Sequence, residues 1–327
     1  MLSRIARGLY EIGRALERAQ NTIRILEVNH KMHLERESVA DGNIWEAVAD
    51  AFGLEVVGSD EAALYEALVF SEKHRHAVLA SIRLAREHGR AARDHISEEM
   101  WLFLNESYLA LRPLGFADVQ RTGRSDFNRR IEISCDGFHG LADSTMNHGS
   151  AWHFLRAGRF VERAGMVCRV LDIKRKSLVN AAEVGRPVDV HQWQTLLRSL
   201  SGYECYRREH DARIEPGRVL SFVLQNPEFP RSLRFALDSL AASLRRVASS
   251  NPAQTEVQLL VHELGRETRD LDCGDLLANG ELELVNPKLR RQVDALDRVL
   301  GVAFFGSLRP TPAPVVVAAG ATQVAQQ

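Results

Sequence analysis

The sequence has little lysine and few cysteines, and each shortage excludes a class of protein. Its 327 residues include only 5 Lys against 37 Arg, but 43 Asp and Glu residues bring the formal net charge to −1. A chain this close to neutral is not a general nucleic-acid coat. The 4 cysteines form no CxxC pair, which argues against a zinc ribbon, a thioredoxin motif and a disulfide scaffold.

Long apolar runs and the common catalytic motifs are also missing. No uninterrupted run of about 18 apolar residues occurs, and no apolar signal core follows Met1, so we expect a soluble, cytoplasmic protein. The sequence contains no glycine-rich phosphate loop, no GxSxG and no arrangement of a Cys/His nucleophile. These absences favour an auxiliary subunit over an autonomous enzyme.

Apolar residues recur at helical spacing through nearly the whole chain. Between Leu9 and Leu26 they are three or four positions apart, which predicts an amphipathic helix. Alternating strand patterns are rare, so we predict an all-α helical bundle. The turn dipeptides Asn226-Pro227 and Asn286-Pro287 each predict a turn followed by a helix. Further helices are predicted at 43–52, 60–86, 96–111, 150–176, 190–209, 230–248, 254–272 and 288–305.

Composition divides the chain into one helical domain and a tail. The domain covers 1–306, with two lobes at about 1–117 and 150–306. The segment 118–149 mixes arginines with Gly, Ser and Asp, and is predicted to be a connector with at most one helix in it. Residues 307–327 contain three prolines followed by Val, Ala, Gly and Gln, a composition typical of a disordered tail.

An internal repeat is the most informative feature of the sequence. Residues 7–28 align without gaps to 152–173 at an offset of 145, and both copies contain Gly-Arg-x-x-Glu-Arg-Ala, at 13–19 and 158–164. Two amphipathic helices share apolar positions by chance, but a shared polar face indicates that both faces meet something specific. The offset is close to half the predicted domain, so we infer a degenerate duplication. The identical pairs are Gly13/Gly158, Arg14/Arg159, Glu17/Glu162, Arg18/Arg163, Ala19/Ala164, Arg24/Arg169 and Leu26/Leu171.

The repeated charges have two interpretations. In one, they lock the two helices together in a buried lattice of arginines and glutamates that needs no ligand. In the other, they form a site in which guanidinium groups bind a carboxylate or phosphate and a glutamate acts as a base. Gly13 and Gly158 indicate close approach of another group in either case. The candidate bases are Glu17, Glu162 and Glu87, and the candidate ligand-binding residues on the repeated helices are Arg14, Arg18, Asn21, Arg24, Arg159, Arg163 and Arg169.

Three further groups extend this candidate site. Glu87, Arg90, Arg93 and Asp94 are spaced as on one helix, just beyond the helix predicted at 60–86, and are expected to converge with the repeated face in the bundle interior. Asn226, Arg231 and Ser232 lie in a loop that opens a helix, and either capture an anion or cap that helix. Tyr203 and Tyr206 line the same cavity or belong to the core.

No cofactor and no metal are expected. A di-iron bundle needs two Glu-x-x-His motifs on separate helices. Glu27 to His30 has this spacing, but the second copy ends at Arg175 without a histidine.

The ordered motifs resemble the alpha-E domain family, an all-helical bacterial family. Residues 9–29 (LYEIGRALERAQNTIRILEVN) resemble its opening motif, written like LYWLGRYLERAENTARLL, and residues 140–172 resemble its second GRxxERA segment. Residues 84–105, 192–208 and 222–237 resemble further segments, and the resemblance covers about residues 1–305.

The resemblance implies a functional context. Members of the family are encoded beside, or fused to, a circularly permuted ATP-grasp protein, often with a transglutaminase-like protein as a further partner. It therefore implies a component of an ATP-grasp-linked system for peptide or amide-bond modification. Such a component would bind an acidic peptide, an activated carboxylate or the ligase through its Arg/Glu face. The alternatives are a catalytic transferase acting on an activated carboxylate and a purely structural, oligomerising bundle. No nucleic-acid or membrane partner is expected.

Overall fold

The described residues of this computed structural model form fifteen α-helices and two short strands. They are residues 2–35, 44–56, 60–181, 187–210, 213–247, 251–306 and 315–317. In the described part of the chain, no helix has both the length and the apolar character needed to cross a membrane.

The first seven helices precede residue 146. Two of them begin where the sequence places a capping side chain: Asp60 accepts a hydrogen bond from the Ala62 amide, and Ser97 accepts one from the Met100 amide. A short 3₁₀ turn, Arg93–His95, separates the fourth helix from the fifth. The helices are α1 (Ser3–Glu35), α2 (Ile44–Phe52), α3 (Glu61–Phe70), α4 (Val78–Ala91), α5 (Glu98–Leu111), α6 (Phe116–Thr122) and α7 (Arg124–Thr145).

Eight helices follow, and two three-residue strands pair in parallel. Strand β1 (Leu54–Val56) lies beside β2 (Val315–Val317). Three residues of the predicted disordered tail therefore form a strand, and the rest of 307–327 lies outside the described residues. The helices are α8 (Ser150–Ala181), α9 (Pro187–Ser199), α10 (Tyr203–Glu209), α11 (Pro216–Gln225), α12 (Leu233–Val247), α13 (Pro252–Asp270), α14 (Cys273–Ala278) and α15 (Leu282–Phe305).

Two predicted helices are each divided in the structure. The prediction over 60–86 is interrupted by a turn in which the Ser71 hydroxyl accepts hydrogen bonds from the amides of Lys73 and His74. The prediction over 190–209 is interrupted at Ser201, which has a φ of 54°. Side-chain hydrogen bonds to the local backbone and a left-handed residue both end a helix, and neither changes the apolar spacing.

The turn predicted at Asn286-Pro287 is wrong, because Pro287 lies inside α15. The Asn286 side chain donates hydrogen bonds to the Cys168 carbonyl and to the Asp172 carboxylate of α8. These bonds attach the second turn of α15 to α8, so tertiary contacts keep the helix continuous through the proline. The other predicted turn, at Asn226-Pro227, lies between α11 and α12.

The segment predicted to be a connector contains α7, which is a core helix. Its buried residues Phe127, Ile131, Cys135, Phe138 and Ala142 are spaced by three or four positions, and they pack α7 against α1 and α5. Arg129 and Arg130 are exposed, whereas Arg124, the first residue of the helix, pairs with Glu61 of α3. The segment 118–149 therefore belongs to the packing of the first half.

The two halves share one arrangement of four helices. In the first half α4 packs on α1, and α5 packs between α4 and α7; in the second half α12 packs on α8, and α13 packs between α12 and α15. α7 lies against α1 as α15 lies against α8. This pseudo-twofold relation is the structural form of the repeat found in the sequence.

α1 and α8 lie at the centre, parallel and in close contact. The contacts advance together along both helices, from Arg18 with Glu162 to Asn29 with Lys174, whose ammonium donates to the Asn29 amide oxygen at 2.8 Å. At the closest approach, a β-carbon on Gly13 would overlap the Leu155 carbonyl oxygen, and one on Gly158 would overlap the Tyr10 carbonyl oxygen. Only glycine permits this separation at both positions.

We expect Gly13→Ala and Gly158→Ala each to lower the free energy of unfolding by about 1–3 kcal/mol, because the added methyl group forces α1 and α8 apart. Gly140→Ala is the matched control. Gly140 lies on the exposed side of α7 with open space around its Cα, so alanine there should stabilise the helix by about 0.5–1 kcal/mol. Urea unfolding followed by circular dichroism measures all three, and equal stability of Gly13→Ala and Gly140→Ala would contradict the close crossing.

Candidate functional site

Two Glu-Arg dipeptides bond each other across the seam between α1 and α8. The Arg163 guanidinium donates through Nε to Glu17 Oε1 and through Nη2 to Glu17 Oε2, both at 2.7 Å. In the reciprocal pair, Arg18 donates to Glu162 at 2.9 Å through Nε and at 2.7 Å through Nη2. Both pairs are bidentate, the strongest geometry for an arginine and a carboxylate.

Two outer arginines complete the pseudo-symmetric arrangement. Arg14 Nε lies 2.9 Å from Glu162 Oε2, and Arg159 Nε lies 3.4 Å from Glu17 Oε2. We call these six residues the ER lattice: Arg14, Glu17, Arg18, Arg159, Glu162 and Arg163. All six lie on α1 or α8, within two turns after Gly13 or Gly158. The repeat places them at the same heights on two parallel helices.

Backbone carbonyls hold the inner arginines in place. Arg18 Nη1 donates to the Arg75 carbonyl oxygen at 3.4 Å, and Arg163 Nη1 donates to the Pro230 carbonyl oxygen at 3.1 Å. These carbonyls belong to the loops that precede α4 and α12. The lattice therefore ties both central helices to their neighbouring helices.

The lattice glutamates are ionised at neutral pH. Burial alone would raise the pKa of Glu17, which has no exposed surface, but Arg163, Arg231 and Arg159 hold it well below its usual range. Burial likewise opposes ionisation of Glu162, and Arg18 and Arg14 overcome it and lower its pKa to about 2. A carboxylate with such a low pKa and with arginines on its oxygens is a weak base. The geometry thus favours the structural interpretation of Glu17 and Glu162.

A family model described as a predicted alpha-helical domain with a conserved ER motif matches residues 1–305. The chain belongs to the Alpha-E family. In this Alpha-E domain the two Glu-Arg dipeptides of the repeated segments are the reciprocal pairs of the lattice, which gives such a motif a physical reason. No curated protein and no solved structure matches the chain.

The other polar residues predicted on the repeated helices lie at three places around the lattice. Asn21 donates to Glu17 Oε1 at 2.7 Å and extends the lattice on α1. Arg24 instead pairs with Glu132 of α7 at 3.0 Å. Arg169 donates to the Ala51 carbonyl oxygen at 2.9 Å. Arg24 and Arg169 are therefore equivalent in the repeat, but they bind different partners.

The predicted convergence of the α4 group with the lattice is wrong. Glu87, Arg90, Arg93 and Asp94 are all exposed. The buried face of α4 consists of Val78, Ser81, Ile82, Ala85 and Gly89. Glu87 and Arg90 project from the opposite face, and the two others follow the end of the helix in the 3₁₀ turn.

The three predicted residues of the loop before α12 have two different roles. Asn226 Oδ1 accepts hydrogen bonds from the amides of Glu228 and Phe229, and Ser232 Oγ accepts one from the Phe235 amide, so both stabilise the local turn and the helix start. Arg231 reaches the lattice, where its Nη1 lies 3.4 Å from Glu17 Oε1 and 2.8 Å from Asn21 Oδ1. The anion that this loop binds is thus the protein's own Glu17.

Tyr203 and Tyr206 lie away from the lattice. The Tyr206 hydroxyl donates to the Arg213 carbonyl oxygen at 3.0 Å and accepts from the Glu215 amide, which fixes the loop before α11. Tyr203 lies beside the Arg198 guanidinium, whose carbon is 4.5 Å from the ring centroid. Their contacts are those of packing residues.

Sequence reasoning missed Asp297, Arg75, His139 and Arg156. Asp297 Oδ2 lies 3.0 Å from Arg14 Nη1, and the Tyr10 hydroxyl donates to Asp297 Oδ1 at 2.6 Å. The signal for Asp297 was its place between Val293 and Leu300 on the apolar face of α15, because a carboxylate on a core face requires a partner. Within the described residues, no three His, Cys, Asp or Glu side chains are arranged to hold a metal ion.

We expect Glu17→Gln and Glu162→Gln each to cost about 3–5 kcal/mol of unfolding free energy, since the amide leaves buried arginine charges without a counter-ion. Glu204→Gln is the control. Glu204 is exposed and lies 3.6 Å from the exposed Arg207, so its loss should cost less than about 1 kcal/mol. Chemical denaturation at pH 7 measures the three values. A Glu162→Gln variant as stable as Glu204→Gln would show that the lattice does not support the fold.

Stability should also fall in acid. The folded-state pKa of Glu162, about 2, lies below its ordinary value of 4.5, so the ion pairs contribute fully above pH 4.5 and are lost as the pH falls towards 2. We therefore expect the unfolding free energy to decline over this interval. The decline should be shallower in Glu162→Gln, because that side chain takes up no proton. Denaturant titrations at several pH values measure both slopes, and parallel slopes would assign the acid sensitivity to other carboxylates.

Proposed function

We propose that this Alpha-E domain is a non-catalytic binding component of an ATP-grasp-linked system that modifies peptides or forms amide bonds. The observation that carries the proposal is the saturation of both repeated glutamates by arginines inside the core. Residues committed to three or more charge-assisted hydrogen bonds fix a framework and leave the reaction to a partner. The resemblance described above supports the identity of that partner, a circularly permuted ATP-grasp protein.

The chemistry of the partner defines what such a component must hold. An ATP-grasp enzyme converts a carboxylate into an acyl phosphate, which an amine then attacks. A separate subunit is useful if it presents the acidic peptide or carboxylate to the ligase, or if it binds the ligase itself. The transglutaminase-like protein would be a second partner in the same system.

The geometry disfavours the transferase alternative. Such an enzyme needs a general base near the arginines that bind its substrate. Glu17 and Glu162 have lowered pKa values, and their carboxylate oxygens accept hydrogen bonds from arginines. Glu87 is exposed on the face of α4 that points away from the core. No other glutamate was predicted for that role. The binding interpretation needs no base in the domain.

We expect the domain to co-purify with the circularly permuted ATP-grasp protein and to be required for its product. The measurement is affinity purification, followed by mass analysis of peptides incubated with both proteins, Mg²⁺ and ATP. Glu87→Gln should leave product formation unchanged, whereas a transferase that uses this glutamate would lose activity. If the two proteins do not associate and the ligase forms the same product alone, the proposed function is wrong.

A further inference from the structure

The pseudo-twofold relation assigns a counterpart to each residue of α7 and α15. Asn128 of α7 donates to Glu27 at 2.6 Å, and Asn286 of α15 donates to Asp172 at 2.6 Å. Glu27 and Asp172 are themselves counterparts, since they are 145 residues apart on α1 and α8. The two asparagines are therefore equivalent, and they are 158 residues apart. At the same offset along these helices, His139 is the counterpart of Asp297.

Because His139 stands where the other half has Asp297, one side of the lattice has one carboxylate fewer than the other. In the first half, Arg14 contacts two carboxylates, Glu162 at 2.9 Å and Asp297 at 3.0 Å. In the second half, its counterpart Arg159 contacts Glu17 at 3.4 Å, and a histidine occupies the position of the second carboxylate. Leu155 correspondingly replaces Tyr10, whose hydroxyl donates to Asp297.

The two arginines experience opposite electrostatic environments. Burial opposes the charge of Arg14, but Asp297 and Glu162 raise its pKa above the ordinary value. Burial and the charge of Arg163 lower the pKa of Arg159, and Glu17 and Asp143 offset this only in part. Arg159 is thus ion-paired with one carboxylate, whereas Arg14 is ion-paired with two.

A cavity of about 240 Å³ lies beside Arg159, between α7 and α8. Arg159 and His139 line it. His139 is 3% exposed, and neither of its ring nitrogens has a hydrogen-bond partner among the described residues. A buried imidazole with both nitrogens unpaired is costly unless something in the cavity bonds to it. Burial, with the nearby Arg159 charge, lowers the pKa of His139, so the ring is neutral at pH 7 and offers one donor.

A second guanidinium and two aromatic rings also line the cavity. Arg156 has its guanidinium carbon 5.1 Å from the ring centroids of both Trp152 and Phe160. It forms no hydrogen bond or ion pair with the described residues, although the charge of Asp143 acts on it. Asp143, at the mouth, accepts a hydrogen bond from Trp152 Nε1 at 3.2 Å and makes no ion pair with either arginine in the described part of the chain. The cavity therefore combines two guanidinium groups, the imidazoles of His139 and His148 and the Asp143 carboxylate with apolar walls.

We propose that this cavity binds a small monocarboxylate with an apolar body, whose carboxylate takes the place that Asp297 occupies in the first half. Arg159 and Arg156 would donate to its oxygens, and Trp152 and Phe160 would contact the body. Phosphate has no apolar body to contact Trp152 and Phe160, which favours a carboxylate with an apolar body over a phosphate. The inference deepens the proposed function, and rests on it only for the source of the carboxylate.

The test is calorimetric titration of the full chain, without any ligase, with sodium benzoate, sodium acetate and inorganic phosphate at constant ionic strength and pH 7. We expect one benzoate per chain and weaker binding of acetate, which has less apolar surface. Phosphate should bind at least about tenfold more weakly than benzoate, because it has no apolar body to contact the aromatic walls. No benzoate binding, or phosphate binding as tight as benzoate binding, would overturn the assignment.

Four variants identify the site. Arg156→Gln should weaken benzoate binding at least about tenfold through loss of a charge-assisted hydrogen bond, whereas Arg207→Gln, an exposed arginine elsewhere, should not change it. His139→Asp supplies the missing carboxylate from the protein itself, and should abolish benzoate binding while raising the melting temperature. His139→Asn, which keeps a neutral donor, should still bind. Equal benzoate affinity in wild type and His139→Asp would contradict the proposal.

The binding assay and the ligase assay fail independently. A chain that binds benzoate at this cavity but does not associate with the ATP-grasp protein leaves the carboxylate site standing and removes the proposed partner. A chain that associates with the ligase but binds no carboxylate removes the site and leaves the proposed function.

Discussion

Reciprocal bonding between two Glu-Arg dipeptides is the constraint on which the architecture depends. Glu17 with Arg163, and Glu162 with Arg18, are buried bidentate pairs, and a buried charge is tolerated only with its partner in place. A shift of α8 by one residue along α1 would separate both pairs together. The lattice therefore specifies the register of the central helices more sharply than apolar packing does, since Leu, Ile and Val side chains accept small displacements. The close approach of the backbones at Gly13 and Gly158 complements the lattice, because these short hydrogen bonds form only where the two helices are that close.

Sequence reasoning predicted the helical class, the duplication and the importance of the repeated polar face. It succeeded there because helical spacing and a shared charged face are properties of the chain itself. It failed for Glu87, Arg90, Arg93 and Asp94. The sequence of a charged cluster on a helix does not show whether its side chains point into the bundle or into solvent. The difference is decided by which face of α4 packs on α1, and that face is set by Ile82 and Ala85. The core role of α7 was missed for the opposite reason: its buried residues are spaced as in a helix, but the arginines and glycines between them resemble those of a loop.

The sequence also left the partners of the two glutamates open, with a lattice between the two helices as one of its interpretations. The spacing within one helix allows Arg14 to pair with Glu17 on its own surface, yet each glutamate is bound by arginines of the other helix. Pairing across the seam becomes favourable only when the helices are parallel and in register, a property of the assembled fold. Arg231 illustrates the same point, because its loop looks like a site for an external anion and is filled by Glu17 and Asn21.

A duplicated fold is most informative where its halves differ, because the shared parts are explained by the need to bury the same framework. The ion pairs around the two lattice glutamates show such a difference in charge. Glu17 is bound by Arg159, Arg163 and Arg231, three cations against one carboxylate. Around Glu162, Arg14 and Arg18 are balanced by Glu162 and Asp297. A framework built for stability alone would gain from balancing both sides, as the first half does. The retained excess of positive charge beside an open cavity is instead what a site for an external carboxylate requires, since the ligand then supplies the charge that the protein lacks.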